Sequence, residues 1–357
     1  MSTLSDGIKA LIGTDHPVLH AAAKYLFEVD GGKKMRPAMV LLMSYACNSH
    51  GWQGAHRPSS VSVSHAGHGS PLDPQKRAGE GEEDGMAEPE AGVGQAQSHA
   101  WQRQRRLAEI TEMIHTASLF HDDVIDKADT RRGVPSVNKV FGNKLAILAG
   151  DFLLARASVN LARLRSLETV ELLSAVIDHL VRGEVLQMRP LVNGVGALEH
   201  YVRKNYYKTG SLMANSCKAA AILGGHGTEL QDIAHEYGKR VGLAFQLVDD
   251  VLDFEGNAFT LGKPALNDLR QGLATAPVLL ALEESPQLQP LIERKFSVPG
   301  DVDVALELVL RSDGIRRAKD IAMVQAEMAM EAVLRLAPSP ERDALVHLAH
   351  KIVTRNH

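Results

Sequence analysis

The sequence predicts an all-α fold, a single large helical domain built around a central cavity. Apolar residues recur with helical period through nearly all of the chain outside one polar segment, and alternating β patterns are almost absent. Hydrophobic residues make up 45% of the 357, enough for a substantial core. A formal net charge of −4 carries no basic excess, which argues against nucleic acid as a partner. Two cysteines, Cys47 and Cys217, are too few for a disulfide framework or a thiolate zinc site. The longest apolar stretches are interrupted by Asp, Arg or Lys within a few turns, so no transmembrane segment is expected. The first twenty residues hold one Lys and no Arg, unlike a secretory signal or an Arg-rich transit peptide.

In order along the chain, residues 16–45 read as two helices joined at Gly31-Gly32. The second starts near Met35-Arg36-Pro37, where a first helical turn tolerates proline. Residues 49–100 change character. Gly, Ser, His, Pro and Glu dominate, Ile and Phe are missing, and Leu72 is the single leucine. Such a stretch cannot bury enough apolar surface to offset its ordering entropy, and a disordered insertion within one domain spanning 1–357 is expected. Helical period resumes at Arg105 and runs through Leu107, Ile110, Met113, Ile114, Ala117 and Phe120. It recurs over 145–164, 167–188, 198–223, 229–254, 302–312, 314–336 and 340–354. These segments predict roughly ten or more helices.

Two of them end in the same acidic pattern, Asp122-Asp123-Val124-Ile125-Asp126 and Asp249-Asp250-Val251-Leu252-Asp253. The first and last aspartates of each are i and i+4 on one helix face, where like charges repel unless a cation lies between them. Both clusters are embedded in Leu, Ile, Val and Phe. Two carboxylate walls across a pocket suit a hard divalent metal that completes its shell with phosphate oxygens. Basic residues collect around them: Arg131-Arg132, Lys208-Thr209, Lys263, and Lys33 with Arg36. Arg supplies bidentate donors and Lys a point charge, a combination suited to diphosphate. His115, two turns before Asp122, lies on nearly the same face, where a buried core histidine is the competing reading.

Taken in order, Gly31-Gly32-Lys33-Lys34-Met35-Arg36-Pro37, His121-Asp122-Asp123-Val124-Ile125-Asp126 with Arg131-Arg132-Gly133, Gly150-Asp151, Lys208-Thr209 and Phe245-Gln246-Leu247-Val248-Asp249-Asp250-Val251-Leu252-Asp253 resemble the trans-isoprenyl diphosphate synthases. Residues 272–277 and 338–345 are similar to the long-chain members that make the polyprenyl tail of ubiquinone. The resemblance implies the all-α isoprenoid-synthase fold, Mg²⁺ as cofactor, and isopentenyl diphosphate and an allylic diphosphate as substrates. Asp122, Asp126 and Asp249 become the expected metal ligands, with Asp123, Asp250 and Asp253 in supporting or water-mediated positions. Arg131, Lys208, Thr209, Gln246 and Lys263 are expected at the allylic diphosphate, and Lys33, Arg36, His115 and Arg132 at isopentenyl diphosphate. Leu273 departs from the Lys found in many shorter-chain relatives.

The resemblance further implies that product grows along the helix preceding Asp122, past Ser118, Ala117 and Ile114. Short-chain relatives block that path with an aromatic residue where this chain has Ser118 and Ala117. Each turn rises about 5.4 Å, roughly one isoprene unit, so small residues here predict a long product. The rival readings are a geranylgeranyl-producing short-chain synthase, a terpene cyclase and a subunit of a heteromeric synthase. Retention of all six aspartates and the Lys33/Arg36 site favours a complete synthase. A homodimer, or a heteromer with a related subunit, and a mitochondrial location are implied by the resemblance alone.

Overall fold

The computed structural model describes residues 2–13, 16–28, 34–51, 93–131, 133–188, 196–255 and 266–355. Among these the chain is helical almost throughout. The first helices are α1 (Ser2–Leu11), α2 (Pro17–Glu28), α3 (Met35–Gly51) and the long α4 (Val93–Ile125). A two-residue antiparallel ladder, β1 (Thr130–Arg131) with β2 (Val134–Pro135), follows. Next come α5 (Val137–Phe141), α6 (Asn143–Arg163), α7 (Leu167–Met188) and α8 (Ala197–Asn205). A π-helical turn over Tyr206–Gly210 leads into α9 (Ser211–Leu223) and α10 (Thr228–Glu255). The chain closes with α11 (Asn267–Arg270), α12 (Ala276–Ala281), α13 (Leu288–Glu293), α14 (Asp301–Arg311), α15 (Gly314–Leu334) and α16 (Pro340–Thr354).

The helices α4 and α10, which carry the two acidic clusters, are each enclosed by neighbours. α4 packs on α6, α3 and α9, and α10 packs on α9 and α15. On α4 the face with Leu107, Ile110, Met113, Ile114, Ala117 and Phe120 is fully buried, as the helical period predicts. α10 buries Ile233, Ala234, Tyr237, Val241 and Ala244 against Met213 and Cys217 of α9 and Ala326, Ala329 and Val333 of α15. Alanine and glycine at these contacts let the helices approach closely. A Cβ on Gly238 would lie 2.4 Å from the Met213 carbonyl oxygen, and one on Gly242 2.6 Å from the Gly210 Cα.

The edges of the polar segment 49–100 correct the sequence-based boundaries. α3 continues to Gly51 and α4 begins at Val93, while residues 52–92 lie outside the described residues. The inward face of this first stretch of α4 is made by Gln97, Ala100 and Gln104 rather than by large apolar side chains. The fully buried Gln104 donates to the Ala220 carbonyl (2.8 Å) and exchanges hydrogen bonds with Asn48. Hydrogen bonding thus replaces the apolar stripe that marks a buried helix face. Among the described residues α6 alone is long and apolar enough, by length and composition, to cross a membrane. In the fold it is a packed helix whose Ala146, Ala149, Leu153, Ala157 and Leu161 enter the core.

The near-contact at Gly242 ties α10 to the π turn. Gly242→Ala is expected to cost about 1–3 kcal/mol through overpacking. Chemical denaturation checks this, as a lowered midpoint with an unchanged m-value.

Candidate active site

Asp122 and Asp126 end α4, and the Asp126 N–H closes the last turn on the Asp122 carbonyl (2.8 Å). Both are partly open to solvent, whereas Asp123 between them is fully buried. The Asp123 carboxylate accepts from Arg131 Nε at 2.8 Å and from a second guanidinium nitrogen. The β ladder, turning at Gly133 with φ +78°, carries Arg131 back to that carboxylate. Asp123 therefore holds the loop after α4 through Arg131.

α10 repeats this division. Asp250 is buried and accepts from Tyr201 Oη (2.6 Å), Gln246 Nε2 (2.9 Å) and the Ala276 N–H (3.3 Å). Asp253 receives the backbone N–H groups of Asn267 and Asp268, both at 3.0 Å, and anchors α11. Asp249 is left open to solvent, its side chain 41% exposed, with Arg355 from the end of α16 hydrogen-bonded to it. The Arg355 guanidinium also lies 4.2 Å from the Phe245 ring centroid, and Arg36 lies 5.9 Å from the same ring. Arg36 in turn is hydrogen-bonded to His115 Nε2 (2.9 Å), which links α3, α4 and α10 at the cleft.

The π turn links α7 to α10. Its Lys208 pairs with Glu184 and donates to Gln187 Oε1 (3.2 Å), both on α7. The next residue, Thr209, donates to Gln246 Oε1 (3.2 Å), and Gln246 bonds Asp250. A π turn widens the helix by one residue and commonly marks a functional site. Here it directs Lys208 toward α7 and α4 while Thr209 stays on α10. Lys33, Arg132 and Lys263 lie outside the described residues.

Burial dominates the electrostatics. It pushes the pKa of Asp122 up to about 6 against the opposing pull of Lys208, with Glu184 and Asp126 adding to the rise. It likewise raises Asp249 to about 6 against Arg355. Asp126 is also raised, first by burial. These carboxylates lack sufficient compensating charge, which suits them to holding a cation. Among the described residues no three acidic, His or Cys side chains already converge on one point. An arrangement of one or two carboxylates per ion, open on the remaining side, matches how Mg²⁺-like cations are held together with substrate phosphates.

The polyprenyl synthetase family model matches residues 87–309. The mitochondrial probable hexaprenyl pyrophosphate synthase of Neurospora crassa is 46% identical over 365 residues, covering 100% of this chain and 80% of that protein. The mitochondrial solanesyl-diphosphate synthase 1 of Oryza sativa subsp. japonica is 41% identical over 363 residues, covering 99% and 76%. The chain belongs to the polyprenyl synthetase family. The fold agrees: a polyprenyl synthase from Caulobacter crescentus CB15, solved with calcium and isoprenyl diphosphate, superposes with a TM-score of 0.78 at 28% identity, covering 100% of this chain and 95% of that one.

For a polyprenyl synthetase the cleft contains groups that the motif reading passed over. Glu184 and Gln187 hold Lys208, and Tyr201 holds Asp250. Lys204 and Asp268 influence the same cluster, and burial pushes Asp268 up to about 7, with Asp250 and Asp253 adding to it. A polar i,i+3 pair such as Glu184 and Gln187 inside an apolar helix was the available signal. Down α4, Ala117 and Ile114 are fully buried and Ser118 is partly buried, its Oγ donating to the His115 carbonyl (2.9 Å). That face of α4 is packed against buried neighbours of the core.

Because Asp122 and Asp249 hold protons below about pH 6, bound metal must displace those protons. Divalent-cation affinity is expected to fall as pH drops through about 6, as checked by calorimetric Mg²⁺ titration on either side of that value. In metal-free protein the same raised carboxylates stabilise the fold fully below their unfolded pKa values. That contribution is lost as pH rises toward about 6, and added metal restores it. Paired with Asp249, Arg355 would compete with a metal bound there, so Arg355→Gln is expected to tighten Mn²⁺ binding above pH 7, by about fivefold. Electron paramagnetic resonance of free Mn²⁺ reads this directly.

Proposed function

We propose that this protein is an all-trans long-chain polyprenyl diphosphate synthase. It extends an allylic diphosphate by successive units of isopentenyl diphosphate, and its product serves as a quinone side chain, with ubiquinone the favoured destination. The observation that carries the reading is the set of partly open carboxylates, Asp122 with Asp126 and Asp249, with Lys208 acting electrostatically on the first two and the Thr209–Gln246–Asp250 chain tying the same π turn to α10. Mg²⁺ held by Asp122, Asp126 and Asp249 would supply charge neutralisation of the allylic diphosphate as it leaves. Lys208, held by Glu184 and Gln187, and Thr209 orient that diphosphate, with Arg131 and Lys263 as further contacts. Arg36, supported by His115 and stacked on Phe245, offers donors to isopentenyl diphosphate beside Lys33 and Arg132. The allylic carbon loses diphosphate, the isopentenyl double bond attacks it, and the proton then lost passes to the departing diphosphate.

The long-chain assignment is supported by small residues at Ala117 and Ser118 and by the long-chain relatives. A mitochondrial location is supported by the names of those two relatives. Self-association, or pairing with a related subunit, is supported by exposed apolar side chains on α6, among them Ile147 and Leu148.

Purified protein given Mg²⁺, isopentenyl diphosphate and farnesyl diphosphate is expected to yield a long polyprenyl diphosphate by mass analysis. Failure to elongate without a second polypeptide would refute a self-sufficient synthase. Ala117→Phe and Ser118→Phe are expected to shorten the product by several isoprene units. Unchanged length in both variants would remove α4 as the growth path.

A further inference from the structure

At the end of α4 remote from the acidic clusters a second groove, of about 680 Å³, opens between α1, α4 and α6. Beside the neutral Gln102 and Asn160, its polar lining is basic: His99, Arg103 and Arg106 from α4, Arg163 from the end of α6, and Arg165 from the turn before α7. From Arg106 to Asp122 is about 24 Å along the helix, so this is not part of the catalytic cleft. α6 runs antiparallel to α4. Near its start the Ile147 carbonyl meets His121 (3.2 Å), and near its end Asn160 and Arg163 line the groove with Arg103 and Arg106.

Among the described residues no carboxylate lines the groove. Glu109, which pairs with Arg106 at 2.7 Å and Arg105 at 3.8 Å, is itself only 3% exposed and lies beneath them. Arg103 donates to the Leu223 carbonyl (3.1 Å), but its buried Nε has no partner among the described residues. Arg163 and Arg165 are exposed and form no ion pair among the described residues. Two residues after Arg165, Leu167 is 75% exposed, the most exposed large hydrophobic side chain among the described residues. A cluster of arginines beside a projecting leucine combines the two elements of interfacial binding, attraction to anionic headgroups and insertion of an apolar side chain.

We propose that this end of the protein docks on an anionic lipid surface. Arg103, Arg163 and Arg165 take headgroup phosphates and Leu167 enters the interfacial layer. The functional sense of this rests on the reading that product grows along α4 away from Asp122. The apolar tail then lengthens toward the end of the molecule that faces lipid, while the charged diphosphate stays in the acidic cleft.

The test is flotation of the substrate-free full chain with vesicles of phosphatidylcholine alone and of phosphatidylcholine mixed with phosphatidylglycerol. Binding is expected only where phosphatidylglycerol is present and is expected to weaken as salt is raised. Each basic group near an anionic surface contributes about fivefold in partitioning, so Arg163→Glu with Arg165→Glu should reduce it by at least about tenfold. Leu167→Ser should reduce it further, and none of these variants should alter condensation of short primers in detergent. Equal partitioning onto both vesicle types, or partitioning unchanged by charge reversal, would overturn the proposal. So would saturable binding of inorganic diphosphate in the groove with no vesicle binding, which would reassign it to a soluble phosphate ligand. The growth-direction reading fails separately, if Ala117→Phe and Ser118→Phe leave product length unchanged while vesicle binding persists.

Discussion

Asp122, Asp126 and Asp249 sit where burial favours their protonated forms, and the nearby positive groups, Lys208 and Arg355, offset this only in part. Holding carboxylates this way costs stability at neutral pH, since each must lose a proton that the fold favours keeping. Much of the surrounding architecture manages that cost. Lys208 is fixed by Glu184 and Gln187, Arg355 is brought in from the last helix, and Arg36 is held by His115. A divalent cation with a diphosphate would supply the charge that the resting protein lacks.

The two acidic clusters look alike in sequence but divide their work in the same way for different surroundings. In each, the second aspartate turns inward and secures structure: Asp123 the ladder through Arg131, Asp250 the joint of α8, α10 and α12 through Tyr201 and Ala276. The outer aspartates of the first cluster remain at the cleft. In the second cluster Asp253 is consumed as a cap for α11, which leaves Asp249 as the open carboxylate. The clamp is therefore asymmetric, with two open carboxylates on α4 and one on α10.

Much of this was legible from the sequence because it rests on local periodicity. The faces of α4 and α10 and the bounds of α7 and α16 follow from spacing of apolar residues and from Pro340 after its Ser339 cap, whose Oγ accepts the Arg342 N–H. Other features depend on contacts remote in sequence. The buried face at the start of α4 is made of Gln97, Ala100 and Gln104, so an apolar count misses it. The π turn leaves no mark on a helical pattern running from 198 to 223. Arg355 lies 106 residues beyond Asp249, and its pairing with that aspartate exists only because α16 packs across α3 and α10.

If both walls act on one diphosphate, they must be energetically coupled. Metal-dependent binding of inorganic diphosphate, measured by calorimetry for Asp122→Asn, Asp249→Asn and the double variant, tests this directly. A single clamp predicts that either substitution alone removes most of the metal-dependent affinity and that the double variant loses little more. Additive losses would show two independent sites and contradict the account.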